Sequence, residues 1–456
     1  MHFSNPGLAG SFSLVCLVQL SSCSPIYTQL FSNRDVSIAE APAAQQFGLT
    51  AHPNPNVLNS PVRQRWAHSP HNHHNHGHGK GNGKGSETVN TIFDGVYPVA
   101  NLTWLGSKSQ DFVAFIDTGS SDTWVVSDQF TCIDPLTNAV VSQETCAFGP
   151  VYNAAEGSFT NISSQEFAIS YFPEAEALNG SMGYAPLSLG GLKVPKQEVA
   201  LVDSAMWEGD GTSSGLLGMA YPAITSASYR SNGSQAVYDP IFTTMIKEGI
   251  VKDAVFTLAL DRVPQGTSPS ANAGTMALGG LVSSKYYSPP FTSVPIEKLA
   301  SAPNTTDFTW YITTHELIYA LKNGTHVSGG TYQSIVDSGT APNFVPSAAA
   351  ADMNAQFSPP ATYNATLGYW TVDCNATAPF AAYKIGGKVM PMDPQDMIVR
   401  SLNGLPGYEN VCFSAFADGG DPSTDVMIIG EVWQRSYVIA FDIGGSQLHF
   451  ANRIPY

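Results

Sequence analysis

The sequence predicts an all-β protein built as two similar lobes. Three observations lead there: one short motif occurs twice, strand-like apolar runs dominate after residue 90, and the composition favours short strands joined by turns. Of the 456 residues, 43% are apolar and only 12% charged, with 41 Gly and 31 Pro. Average usage is about 25% charged. A chain this long supports two or three domains with sizeable cores. Few charges and many turn formers point to an all-β protein.

The repeated motif is the strongest element. One copy reads Phe115-Ile116-Asp117-Thr118-Gly119-Ser120; the other reads Ile335-Val336-Asp337-Ser338-Gly339-Thr340. Each is an apolar run, then Asp, a hydroxyl residue, Gly and a second hydroxyl residue. Such runs are buried strands, so each carboxylate sits at the end of an apolar element. A buried carboxylate is costly unless it is hydrogen-bonded or paired. The economical reading makes Asp117 and Asp337 partners. Two carboxylates at one site share a proton and titrate as a coupled pair, which offers an acid and a base together. Gly119 and Gly339 let the backbone approach a carboxylate and donate N–H bonds.

The remaining elements follow in order. Strands are expected at 112–116, 167–171, 255–260, 275–278, 310–313 and 437–441. The clearest helix is 239–248, with Asp239 as N-cap and Pro240 as first helical residue. One Asp motif and one Gly-rich apolar block in each half divide the body into an N-terminal lobe, 91–290, and a C-terminal lobe, 291–456. A cleft between lobes is where the two Asp meet, and such interfaces commonly form ligand sites.

The amino-terminal part differs. Residues 1–23 contain a short apolar run, 11–22, too short to span a membrane and similar to a secretory leader. Residues 24–90 are poor in strand patterns. They include Arg63 and Arg65, which could mark a processing site, and a tract rich in His and Gly, 68–84. Seven of the eleven His fall between 52 and 78. Dense His binds divalent metals and becomes cationic near pH 6; a removable linker is the plainer reading. Eight Asn-x-Ser/Thr sequons (Asn101, Asn161, Asn179, Asn232, Asn304, Asn323, Asn364 and Asn375) fit a secreted glycoprotein. No apolar tail suggests a membrane anchor.

Charge narrows the partners. Net charge is −16, and residues 91–456 carry 15 Lys and Arg against 33 Asp and Glu, a net of −18. Such a surface repels phosphate, so no nucleic-acid partner is expected. It loses self-repulsion in acid. Cys132, Cys146, Cys374 and Cys412 allow three disulfide connectivities. The body has no CxxC and no nearby Cys/His cluster, so no metal site is expected.

The blocks around the motifs resemble those of the pepsin-like aspartic proteases, most nearly a secreted fungal-type member. Asp117 to Ser127 reads DTGSSDTWVVS, similar to the family's DTGSSxxWVxS. Residues 215–222 read GLLGMAYP, similar to GILGLAYP. The second motif reaches Pro346 with the family's spacing, and 428–432 followed by Phe441-Asp442 resembles the closing ILGDxF…FD segment. The resemblance spans about 91–456 and implies a bilobal pepsin-like fold with two β-barrel-like lobes.

The resemblance also implies roles. Asp117 and Asp337 become the catalytic pair, supported by Gly119, Ser120, Gly339 and Thr340. Trp124 steadies the flap tyrosine, which aligns with Tyr171, and Leu216 lines a pocket favouring apolar substrate residues. Cys132 pairs with Cys146, and Cys374 with Cys412. Residues 24–90 become a removable pro-segment, in which only Lys80 and Lys84 could meet the Asp pair. The expected enzyme is a monomeric endopeptidase that cleaves proteins or peptides in acid without a cofactor, outside the cell or in an acidic vacuole. Some residues depart from the pattern. The flap continues from Tyr171 as Phe-Pro-Glu174-Ala-Glu176-Ala-Leu178 instead of turning at once, and its two Glu could favour basic side chains. Ala341-Pro342-Asn343 and Glu431 also differ. The altered flap motivates a second reading, a silent relative that binds peptides or another protein in its cleft. The His tract motivates a third, a metal-binding surface protein.

Overall fold

The computed structural model describes residues 45–51, 99–135, 137–171, 176–207, 209, 211–262, 271–300, 307–365, 368–399 and 411–454. The expected leader, the His tract, Arg63, Arg65, Lys80, Lys84, Glu174 and Asn304 lie outside them. The described residues are mostly strands arranged in three sheets of sixteen, seven and four strands.

The same arrangement is built twice around the repeated motif. In the first half, Gln110–Asp117 ends at Asp117 and runs parallel to Gly215–Gly218, with Asp117 opposite Gly218. Thr123–Ile133 pairs antiparallel with Gly215–Gly218 on its other side. In the second half, His326–Val336 stops just before Asp337 and runs parallel to Met427–Ile429. Asn343–Val345 flanks Met427–Ile429 on its other side. Strands buried on both faces read as continuous apolar runs, which is why residues around both Asp show no alternation.

The two halves are joined by a shared sheet. Val255–Leu260 pairs with both Ala271–Leu278 and Tyr437–Asp442, and Gln447–Arg453 returns beside the latter. Phe256 stacks on Phe441 at 4.6 Å, and Tyr311 packs edge-on against both rings. Pro289 and Pro290 lie within Tyr287–Pro295, a strand of this sheet.

Three local differences from the sequence reading have physical causes. The stretch 24–90, poor in strand pattern, contributes the strand Gln45–Ala51. It pairs along its length with Ala271–Leu278 and touches Val99 through Thr50. A strand edge offers backbone donors and acceptors that a further strand completes, a signal that lies outside the strand's own sequence. The expected helix starts two residues late, as Ile241–Lys247 with Pro240 as N-cap. Pro240 has an extended ψ of 157°, and the Asp239 carboxylate accepts from Lys247 Nζ at 2.8 Å instead of capping. The longest helix among the described residues, Ser347–Gln356, lacks a sequence signal: its Ala-rich stretch has a weak apolar stripe, and Ala350 and Met353 dock it on the core. Disulfides join Cys132 to Cys146 and Cys374 to Cys412.

A buried ion network secures the closing segment. Arg435 donates from Nε to Glu431 Oε1 at 2.7 Å and lies 3.5 Å from Asp396, all three being buried. Arg262 grips Asp396 with two bonds of 2.7 Å. Glu431, where the resemblance suggested Asp, is therefore an ion-pair partner of the last turn. Removing one member of a buried pair strands its partner's charge. Arg435→Met should lower unfolding stability by roughly 3–5 kcal/mol in urea titration. Lys108→Met, which breaks an exposed pair with Glu156, should cost less than about 1 kcal/mol.

Candidate active site

The two Asp loops interlock with near two-fold symmetry. Thr118 Oγ1 donates to Val336 O at 2.8 Å and accepts from Ser338 N–H at 2.8 Å. Ser338 Oγ donates to Ile116 O at 2.7 Å and accepts from Thr118 N–H at 3.2 Å. All four groups are buried, so this exchange satisfies polar backbone that water cannot reach. It ties together strand ends 220 residues apart in sequence.

Each carboxylate is held alike. Asp117 accepts from Gly119 N–H at 2.7 Å and from the Ser120 hydroxyl. Asp337 accepts from Gly339 N–H at 2.7 Å and from Thr340 Oγ1 at 2.6 Å. The glycines are needed for space. A Cβ on Gly119 would lie 2.5 Å from Asp337 Cγ, and one on Gly339 would collide with Asp117 Oδ1. Each loop thus packs against the other loop's carboxylate. Burial, then the neighbouring Asp117 charge, push the Asp337 carboxyl well above the usual carboxylate range. That is the behaviour of two acids sharing a proton.

The flap residues meet this centre. Trp124 Nε1 donates to the Tyr171 hydroxyl at 2.8 Å. Trp207 packs edge-on against both Trp124 and Tyr171. Leu216 is only 5% exposed and belongs to the same apolar cluster as Phe115 and Trp124, with Tyr171 packed against it. The expected site residues of both halves are thus brought together, with Leu216 behind the aromatic wall.

Four contributors were missed in the sequence. Thr118 and Ser338 were seen only as hydroxyl residues, although their recurrence at one motif position was the available signal. Trp310 was read as a strand start; the strand begins at Ile312, and Trp310 Nε1 instead donates to Gly119 O at 2.7 Å. Asp122, fully buried, accepts from Ser226 N–H at 3.0 Å and from the Tyr238 hydroxyl at 2.6 Å. No pattern announced it, because both partners lie more than a hundred residues away.

The family profile described as Eukaryotic aspartyl protease matches residues 100–453. A probable aspartic-type endopeptidase of Aspergillus fumigatus is 35% identical over 354 residues, 76% of this chain and 77% of its own length. Gastricsin of Homo sapiens is 28% identical, over 76% of this chain and 79% of its own. Pepsin A of Bos taurus is 27% identical, over 76% and 82%. The crystal structure of an aspartic proteinase from Irpex lacteus shares the fold with a TM-score of 0.62, at 19% identity, covering 78% of this chain and 94% of that one. The chain belongs to the eukaryotic aspartyl proteases. Its enzyme class is aspartic-type endopeptidase.

Asp122 supplies a test of the buried acids. Burial raises its carboxyl, only partly offset by its hydrogen bonds. A raised carboxyl favours the fold when protonated, so its contribution is complete below the ordinary carboxylate range and is lost as pH rises through the raised value. Asp122→Asn cannot ionise and keeps an accepting oxygen. Its Tm should fall less than the native Tm between about pH 4 and about pH 7, measured by calorimetry.

Proposed function

We propose that the chain hydrolyses peptide bonds in proteins in acid, with Asp117 and Asp337 activating a water molecule. The interlocked pair of buried carboxylates is the observation that carries this reading. The pair holds one proton, shared between two carboxyls that titrate as a unit. The protonated carboxyl polarises the scissile carbonyl as general acid, while the ionised one takes a proton from the attacking water as general base. The proton taken by the base passes to the leaving amine, so no cofactor is required. Ser120, Thr340 and the N–H groups of Gly119 and Gly339 hold both carboxylates in place, which lowers the cost of reorganising charge during reaction.

The apolar cluster supports a preference for apolar residues at the scissile bond. Phe115, Trp124 and Leu216 form a buried cluster of the first lobe with Tyr171 packed against it, and apolar surroundings select substrate side chains by burial. One chain supplies both carboxylates, so we take the monomer as the active unit. Among the described residues no helix is long and apolar enough to cross a membrane. Secretion or delivery to an acidic vacuole is our reading of the amino-terminal sequence together with this acid-working site.

Asp337→Asn removes the shared proton while keeping the volume. Its kcat on an unfolded protein substrate near pH 3.5 should drop by about 10²–10⁴-fold or more, with a normal fold by circular dichroism. Native activity should decline as pH rises through the raised Asp337 value, and pepstatin should block it. Full activity in Asp337→Asn would overturn the assignment. Binding of a peptide by the native chain without turnover would favour the silent relative.

A further inference from the structure

One short segment reaches both Asp loops from outside them. Residues 308–311 lie just before the strand Ile312–Ala320. Thr309 O accepts from Tyr221 N–H at 3.3 Å, and the Tyr311 hydroxyl donates to Met219 O at 2.5 Å. Phe308 and Tyr311 pack on the Tyr221 ring, with centroids 5.4 and 5.2 Å away. These contacts fix the segment on the first lobe. On its other side, Tyr311 O accepts from Val336 N–H at 2.9 Å, and Val336 immediately precedes Asp337. Between them, half-buried Trp310 donates from Nε1 to Gly119 O at 2.7 Å, close after Asp117.

The Trp310 bond falls on the peptide that leads into Ser120. A peptide unit is planar, so holding the Gly119 carbonyl also orients the Ser120 nitrogen. Ala220 N–H holds the Ser120 carbonyl at 2.9 Å. Ser120 is thus bracketed on both sides, and its hydroxyl donates to the Asp117 carboxylate. Gly119 itself donates to Asp117 and packs against the Asp337 carboxylate. The second loop repeats the rest of this arrangement, with Glu431 N–H on the Thr340 carbonyl at 2.7 Å. No indole N–H among the described residues reaches the matching carbonyl of Gly339. The indole bond is therefore a one-sided hold on the Asp117 loop.

We propose that Trp310 is a positioning residue for the reaction: its indole N–H fixes the Gly119–Ser120 peptide and, through it, the donors around Asp117. The proposal rests on the reading of Asp117 and Asp337 as the acid–base pair. Hydrogen bonds to a carboxylate favour its charged form. Without the indole bond, the Ser120 hydroxyl loses its fixed aim and the ionised pair is held less well. The first ionisation of the pair then moves to higher pH, and the general base is present over a narrower range. The other titratable groups beside the pair are Asp122, which follows in the same loop, and Tyr171, held by Trp124. Neither is altered by a change at position 310. A Trp that served packing alone would affect stability and leave the ionisation of the pair where it is.

Two variants separate the bond from the packing. Trp310→Phe keeps a ring and removes the donor. Benzothienylalanine placed at position 310 keeps the fused-ring shape and replaces the N–H by sulfur. Both are assayed on one fluorogenic peptide with an apolar scissile pair, across the acid range, with folding followed by circular dichroism. In both, kcat should fall about tenfold, while KM changes by less than about twofold. The acid limb of the pH–kcat profile should move up by about 0.5–1 pH unit, the worth of one hydrogen bond. A native profile in the benzothienylalanine variant overturns the proposal, because packing then accounts for any loss in Trp310→Phe. A fall in kcat with the acid limb unmoved overturns it too. If Trp310→Phe does not fold, the isosteric variant decides. If the native chain cleaves nothing, the acid–base reading fails by itself. The contact is then read from the carboxyl-carbon NMR titration of the pair, assigned with Asp117→Asn and Asp337→Asn. An upward shift of the first ionisation in the isosteric variant upholds it, and an unchanged titration overturns it.

Discussion

Two carboxylates buried at one interface create a problem that backbone and hydroxyl groups must solve together. Neither acid can be left without donors, and neither loop can drift without exposing the other. The exchange between Thr118 and Ser338 answers both demands, since each hydroxyl donates into the other lobe's strand and accepts from the other lobe's loop. Gly119 and Gly339 then pack against the opposite carboxylates, with no room for a Cβ. Position, solvation and proton sharing of the pair all depend on this one contact.

The surroundings extend that contact in two directions. Below it, Met219 N–H and Ala220 N–H bond the carbonyls of Asp117 and Ser120, while Glu431 N–H bonds the carbonyl of Thr340. Asn343, one of the departures from the family pattern, accepts from Gly430 N–H and donates to Ala415 O. Both loops are thus fixed by strands from far along the chain. Above it, Tyr171 is anchored through its hydroxyl. A flap tied at this point can reshape its tip without disturbing the acids, which makes a lengthened, acidic tip compatible with an intact centre.

Burial has a cost here that acid relieves. Asp122 and Asp337 are both favoured in their neutral forms, and the body carries a large negative excess. At low pH both effects ease together: buried acids keep their protons and surface repulsion shrinks. His315 shows the converse. It is buried against Tyr332 and Tyr383, and burial holds it down to about 3. An imidazole so placed stays uncharged through most of the acid range, so acid need not drive a cation into the second lobe's core.

Much of this was legible in the chain because it is local and repeated. Asp-hydroxyl-Gly-hydroxyl at the end of an apolar run specifies a strand, a tight turn and a hydrogen-bonded carboxylate within six residues, and a second copy implies a partner. Trp124 and Tyr171 were legible through their blocks. Asp122, Trp310 and the Arg262–Asp396–Arg435–Glu431 network were not, because their meaning lies in partners that sequence spacing does not reveal. The strand Gln45–Ala51 was hidden for the same reason, being defined by the edges it completes. The sequence alone determined the strand-rich lobes and the two acids. Only the tertiary structure decided which buried groups share hydrogen bonds and charge, since those energies depend on distance through space and not along the chain.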